Sequence, residues 1–140
     1  MAFKYNLPAA QQTPTSNSKV VLSKSFKIDI AGGSGFTTAT TYDLGWLPKD
    51  AQPVWGSMAV PTAVSGGTVS AATLKVDVGA GPIFNSSNVF SAATLTSAAL
   101  HSWMNTGQNP SSDQKITYTP TLTGSGATAG IIYINIFYVV

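Results

Sequence analysis

Residues 131–140 read IIYINIFYVV, and Asn135 is the one fully polar side chain among them. In a strand, Ile132, Ile134, Ile136, Tyr138 and Val140 take one face, and Ile131, Tyr133, Phe137 and Val139 take the other. A sandwich strand in a monomer hides one face and wets the other. Here both faces are apolar, so each needs a cover. Either the strand is central with a loop or helix over its outer face, or that face meets another subunit. The second arrangement is the expectation. Burying Tyr133, Phe137 and Val139 gains about 1.5–3 kcal/mol per side chain, whereas leaving them bare invites aggregation.

The rest of the chain alternates in shorter pieces. In KVVLSKSFKIDI (19–30), Val20, Leu22, Phe26, Ile28 and Ile30 share one face; Lys19, Ser23, Ser25, Lys27 and Asp29 share the other. AGGSG turns the chain into the Thr-rich strand FTTATTYDLGW. LPKDAQP reads as a loop punctuated by Pro48 and Pro53, followed by a short strand at 54–60. TVSAATLKVDVG (68–79) alternates again before GAGP breaks it. SAATLTSAALHSWM (91–104) is expected to be a short helix or compact loop: Leu95, Ala99 and Trp103 are four apart, with Ser91 as a cap. KITYTPTLTG (115–124) is a strand in which Pro120 suggests an edge or bulge. GSGATAG then leads into the last strand.

Six to eight short strands between Gly/Pro turns predict an all-β fold, an antiparallel β-sandwich that is jelly-roll-like. The 140 residues suit one such domain, at 19–140. Residues 1–18 read as an extended N-terminal arm, with two prolines and no sustained period. Yet Phe3, Tyr5 and Leu7 alternate there, the mark of a segment that docks its apolar side chains on a neighbour.

Only 9% of residues are charged, and the chain contains no Arg and no Glu. Arg makes the bidentate contacts to phosphates and base edges, so its absence argues against nucleic-acid binding. Lys19, Lys24 and Lys27 cluster and read as guards of a solvated sheet edge. The ten-residue apolar run at the end is half of what a membrane-spanning helix requires, roughly 20 residues. No signal-peptide-like apolar core opens the sequence, so synthesis in a cytoplasm is the expectation.

The inventory for catalysis is thin. His101 is the only histidine, and no G-x-S-x-G elbow accompanies it. Cysteine is absent, and the five aspartates never bunch as a calcium loop requires. No catalytic residue, cofactor or metal site is expected, and the protein is read as a non-enzyme. Trp46, Trp55 and Trp103 could form a sugar platform on a sandwich, but tryptophan is more often core or interface anchor.

The middle of the chain carries a resemblance. Asp43-Leu44-Gly45, Leu47-Pro48-Lys49, Val54–Val60, Thr62-Ala63-Val64 with Gly66-Gly67, and the alternating stretch Thr68–Gly79 follow one another. A Thr-rich strand, a glycine turn and a terminal aliphatic strand close the chain. This pattern, over roughly residues 40–140, resembles small β-rich virion proteins of tailed bacteriophages. The resemblance implies a capsid decoration (cement) or head-fibre-like protein whose partner is the major capsid protein, and implies no active site. A tail or neck component and a carbohydrate-binding adhesion module are the other readings. Phe3, Tyr5, Leu7, Tyr133, Phe137 and Val139 are the expected contact residues. A homo-oligomer is expected, a trimer among its possible forms, although no heptad or symmetry signal names the number.

Overall fold

The computed structural model describes residues 20–79, 81–96 and 112–140, which form eight strands and no helix. The strands are β1 (Leu22–Asp29), β2 (Tyr42–Leu47), β3 (Gln52–Ser65) and β4 (Ala71–Val78), then β5 (Gly81–Asn88), β6 (Ala93–Thr96), β7 (Gln114–Thr123) and β8 (Ala129–Val139). Sheet one runs β1-β8-β3-β6 and sheet two runs β2-β7-β4-β5. β1 pairs with β8, β2 with β7, β3 with β6 and β4 with β5, each antiparallel. The described strands thus pair as one long antiparallel ribbon, folded at its middle and rolled until its halves face each other. That is an eight-stranded jelly roll, as the alternation predicts.

Alternation also places the core. Ile28, Met58, Val60, Ile132, Ile134 and Ile136 of sheet one meet Leu47, Leu74, Val76, Val78 and Ile116 of sheet two, all of them buried. β4 shows the rule most cleanly: Ala72, Leu74, Val76 and Val78 point inward while Lys75 stays exposed. The roll is pinned at one end by two turns that bond to each other. Thr68 donates its N–H to Ser125 O at 2.9 Å, and Ser125 donates its N–H to Thr68 Oγ1 at 3.0 Å. Gly124 sits between them at φ +94°, where a Cβ would lie 2.1 Å from Thr68 O. Only glycine fits there.

Four features depart from the sequence-based expectation. Ala93–Thr96 is a strand, not part of a helix; it pairs with Ser57–Val60 and supplies hydrogen bonds that the far edge of β3 would otherwise lack. Helical spacing is a weak preference beside a ladder. Residues 97–104 lie outside the described residues. Second, Gly81–Asn88 is a strand that the alternation did not reveal, because two register shifts against β4 put Ile83 and Phe84 inside together. Third, Pro53 opens β3 instead of closing a loop. It stands at a register shift, as does Pro61, and a ladder tolerates a missing N–H there.

Fourth, Pro120 marks neither an edge nor a bulge. β7 is central, and its register with β4 is continuous through Leu74↔Pro120. Pro120 O accepts from Ala39 N at 2.9 Å, on the side away from β4 and beyond the start of β2. The missing N–H would face that same side, so no bond to β4 is lost.

Tyr118 holds the open side of the roll. Its hydroxyl donates to Gly35 O at 2.7 Å, and its ring stacks on Tyr42 at 5.1 Å and on Phe36 at 6.5 Å. Burial, and next the neighbouring Tyr42, push its pKa from 10.0 up to about 12. Hydrogen bonding from Thr37 moves Tyr42 in the opposite direction. A raised folded-state pKa gives stability that is complete below pH 10 and is lost as pH rises toward 12, because the unfolded chain releases its proton first. The loss amounts to about 2 kcal/mol. Thermal melts across pH 9–12 should show this decline, and Tyr118→Phe should flatten it while lowering stability at neutral pH by about 1 kcal/mol for the lost hydrogen bond.

Candidate interaction surface

The roll has two outer faces of different chemistry. Along the outer face of sheet two, Thr117 of β7 lies between Asp43 and Asp77, Thr119 lies opposite Lys75, and Thr121 lies opposite Thr73. Lys115 pairs with Asp43 at 3.4 Å and Lys75 with Asp77 at 3.7 Å. Trp46 is 50% exposed on this face, but Lys115 Nζ stands 5.2 Å from its ring centroid. Such a face is stable in water.

Sheet one differs. β8 lies at its centre, between β1 and β3. The structure places Tyr133, Phe137 and Val139 on the outer face of this strand, as the alternation predicts, with Tyr133 42% exposed and Phe137 and Val139 half-buried. No described helix lies over them. The register sets Trp55 of β3 opposite Phe137, and the two rings stack 4.0 Å apart at 10°. Trp55 is nevertheless 41% exposed. Val21, at the entry to β1, is 55% exposed. Tyr133 lies near Lys27, whose Nζ is 6.0 Å from the ring centroid. An aromatic ridge therefore stands on sheet one, toward the end where the chain enters β1.

Asn135 explains itself on this face. Ser25 of β1 and Ser57 of β3 are its direct register partners. Ser25 Oγ donates to Asn135 Oδ1, and Asn135 Nδ2 donates to Ser57 Oγ at 3.2 Å. The amide thus ties three strands together across their outer face with its polar atoms satisfied. Had this position carried another aliphatic residue, the ridge would run unbroken to Tyr133.

Sequence reasoning leaves Trp55 open between core, interface anchor and sugar platform; the structure sets it on the outer face of sheet one. Its side depends on the register shift between Pro53 and Trp55, and a bulge changes which face the following residues take. Phe3, Tyr5, Leu7, Trp103 and His101 lie outside the described residues.

The fold class is thus an eight-stranded jelly roll with one wet and one aromatic outer face. No protein-family model and no curated protein matches the chain. Solved structures do share the fold. A chain in the capsid of Ralstonia phage GP4 is 20% identical, with 94% of this chain and 92% of that one covered and a TM-score of 0.56. A chain in the capsid asymmetric unit of cyanophage Pam1 is 14% identical, with 94% and 96% covered and a TM-score of 0.62. In both cases the match spans nearly the whole of each chain, and what is shared is the fold.

Proposed function

We propose that the chain is a non-enzymatic structural protein of a phage virion, which binds the major capsid protein and decorates the outside of the head shell. The observation that carries this reading is the aromatic ridge of sheet one, Trp55–Phe137 with Val139 and, beyond Asn135, Tyr133, which no other described element covers, on a fold also found in two phage capsids. Aromatic side chains enriched on one face are the mark of a protein interface. The threonine- and lysine-bearing face of sheet two then looks outward to solvent.

Mechanically, the ridge supplies modest affinity at one site. Repetition over a symmetric shell converts it into firm attachment, because each copy linked to its neighbours rebinds from a high local concentration. The arm at residues 1–18, with Phe3, Tyr5 and Leu7, contributes the linkage within the layer. The sugar-platform alternative finds less support: a ring face that would stack on a sugar is occupied where Trp55 lies against Phe137.

Co-sedimentation tests the reading. Purified chain added to shells of the major capsid protein should pellet with them and saturate at a simple ratio of copies. Failure to pellet at tens of micromolar, with the shells intact, would remove the decoration role.

A further inference from the structure

β1 is an open edge of sheet one. It pairs with β8 over all eight residues without a register shift, and no described strand lies on its other side. Its backbone directions are set at its end. Ile30 N–H donates to Gly130 O, toward β8, at 3.0 Å, whereas Asp29 N–H turns to Ser34 Oγ, also at 3.0 Å. Backbone groups alternate sides along a strand. Ser23, Ser25 and Lys27 therefore turn their N–H and C=O groups to the open edge. Natural edges are blunted by bulges, prolines or free lysines. β1 has neither bulge nor proline. Lys24 is drawn across to Trp46 O at 2.7 Å, and Lys27 is paired with Asp29 at 3.4 Å.

Beneath this edge lies a groove of about 380 Å³ between β1 and β2, where Phe26, Ile28, Tyr42, Leu44 and Tyr118 alternate with the polar Lys27, Ser34 and Asp43. The Lys24–Trp46 bridge stands at one end, and the Ser34–Gly35 crossing stands at the other. A strand added to the edge would point every second side chain into the groove. An extended segment with aromatic or aliphatic side chains at alternate positions would meet Phe26, Ile28, Tyr42, Leu44 and Tyr118 there.

We propose that residues 3–7 of a neighbouring copy add to β1 as a further strand and seat Phe3, Tyr5 and Leu7 in this groove. Lys4 and Asn6 then lie outward, alongside the Ser23, Ser25 and Lys27 row. Five residues in strand geometry cover about 15 Å, the stretch that Ser23 to Lys27 offers. The linker is long enough for the arm to come from a neighbour. Hairpin loops are typically two to five residues long, and residues 8–19, with Pro8 and Pro14, are too long for one. Extended at about 3.1 Å per residue, that linker spans roughly 37 Å, about the diameter of a domain of this size. It reaches an adjacent copy. This exchange concerns copies of the chain alone, so it stands or falls separately from shell attachment.

The chain has no cysteine, which makes disulfide trapping clean. A Tyr5→Cys chain mixed with a Leu44→Cys chain under oxidising conditions should give the mixed disulfide dimer. A Lys4→Cys chain, facing outward, should give at least tenfold less. In sedimentation, the unmodified full-length chain should form multimers at tens of micromolar, and the Phe3→Ser/Tyr5→Ser/Leu7→Ser chain, whose jelly roll is untouched, should run as a monomer. Equal trapping by Lys4→Cys, a disulfide formed only within a doubly substituted chain, or a monomeric unmodified chain would each overturn the exchange.

Discussion

Phe137→Asp is expected to abolish attachment to capsid shells while leaving a folded domain. Phe137 is half-buried on the outer face and its ring lies flat against Trp55. Losing that stack costs about 1 kcal/mol of stability, a small part of what a domain of this size holds. At an interface the change is much larger. An aromatic anchor at the centre of a contact is worth 2 kcal/mol or more, roughly 30-fold in affinity, and an aspartate left unpaired there adds a desolvation penalty. Multiplied over a lattice, that loss removes binding altogether. Thr121→Asp, exposed on the outer face of sheet two opposite Thr73, should attach as the unmodified chain does. Co-sedimentation with shells and a thermal melt of the same samples check both halves. Full attachment of the Phe137→Asp chain would take the ridge out of the account.

Ile134→Ala should do the opposite. Three residues away on the same strand, Ile134 is fully buried between Phe26 of β1 and Met58 of β3, its register partners. Truncating it removes transfer energy and leaves a cavity in a close-packed centre. Such changes cost 2–5 kcal/mol, on the order of 3 here. For a domain of this length the melting temperature should fall by about 10 °C. Attachment measured well below that temperature should be unchanged, because nothing on the outer face has moved. A melting temperature within a degree or two of the unmodified chain would mean that the inner face of β8 is not the core.

The contrast between these two residues shows how far the sequence speaks. The alternation in IIYINIFYVV assigns the apolar side chains from Ile131 to Val139 to the correct faces, because a strand's period is independent of its surroundings. β1, β4 and β7 are legible for the same reason. β5 is not, because bulges against β4 break its alternation and place Ile83 and Phe84 inside side by side. β6 carries a helix-like spacing that yields to the needs of the β3 edge. Pro120 misleads because its effect depends on where β2 begins, a fact of tertiary structure.

The surface divides in the same manner. The outward placement of Tyr133, Phe137 and Val139 follows from alternation alone. Trp55 joins them only through the shift after Pro53, and Asn135 finds its role only when Ser25 and Ser57 arrive from distant parts of the chain. That β1 is an edge is legible in its lysines, but that its backbone is left open is visible only in the structure. Lysines at 24 and 27 signal an edge strand, yet both are engaged in contacts of their own and leave the backbone of that edge open.

The central claim is that many copies of this chain coat a phage head, and the direct test is its copy number in purified virions by quantitative mass spectrometry. The account predicts a copy number equal to that of the major capsid protein or to a simple fraction of it. A handful of copies per particle would place the chain at a neck or tail, and its absence from the particle would contradict the virion role itself.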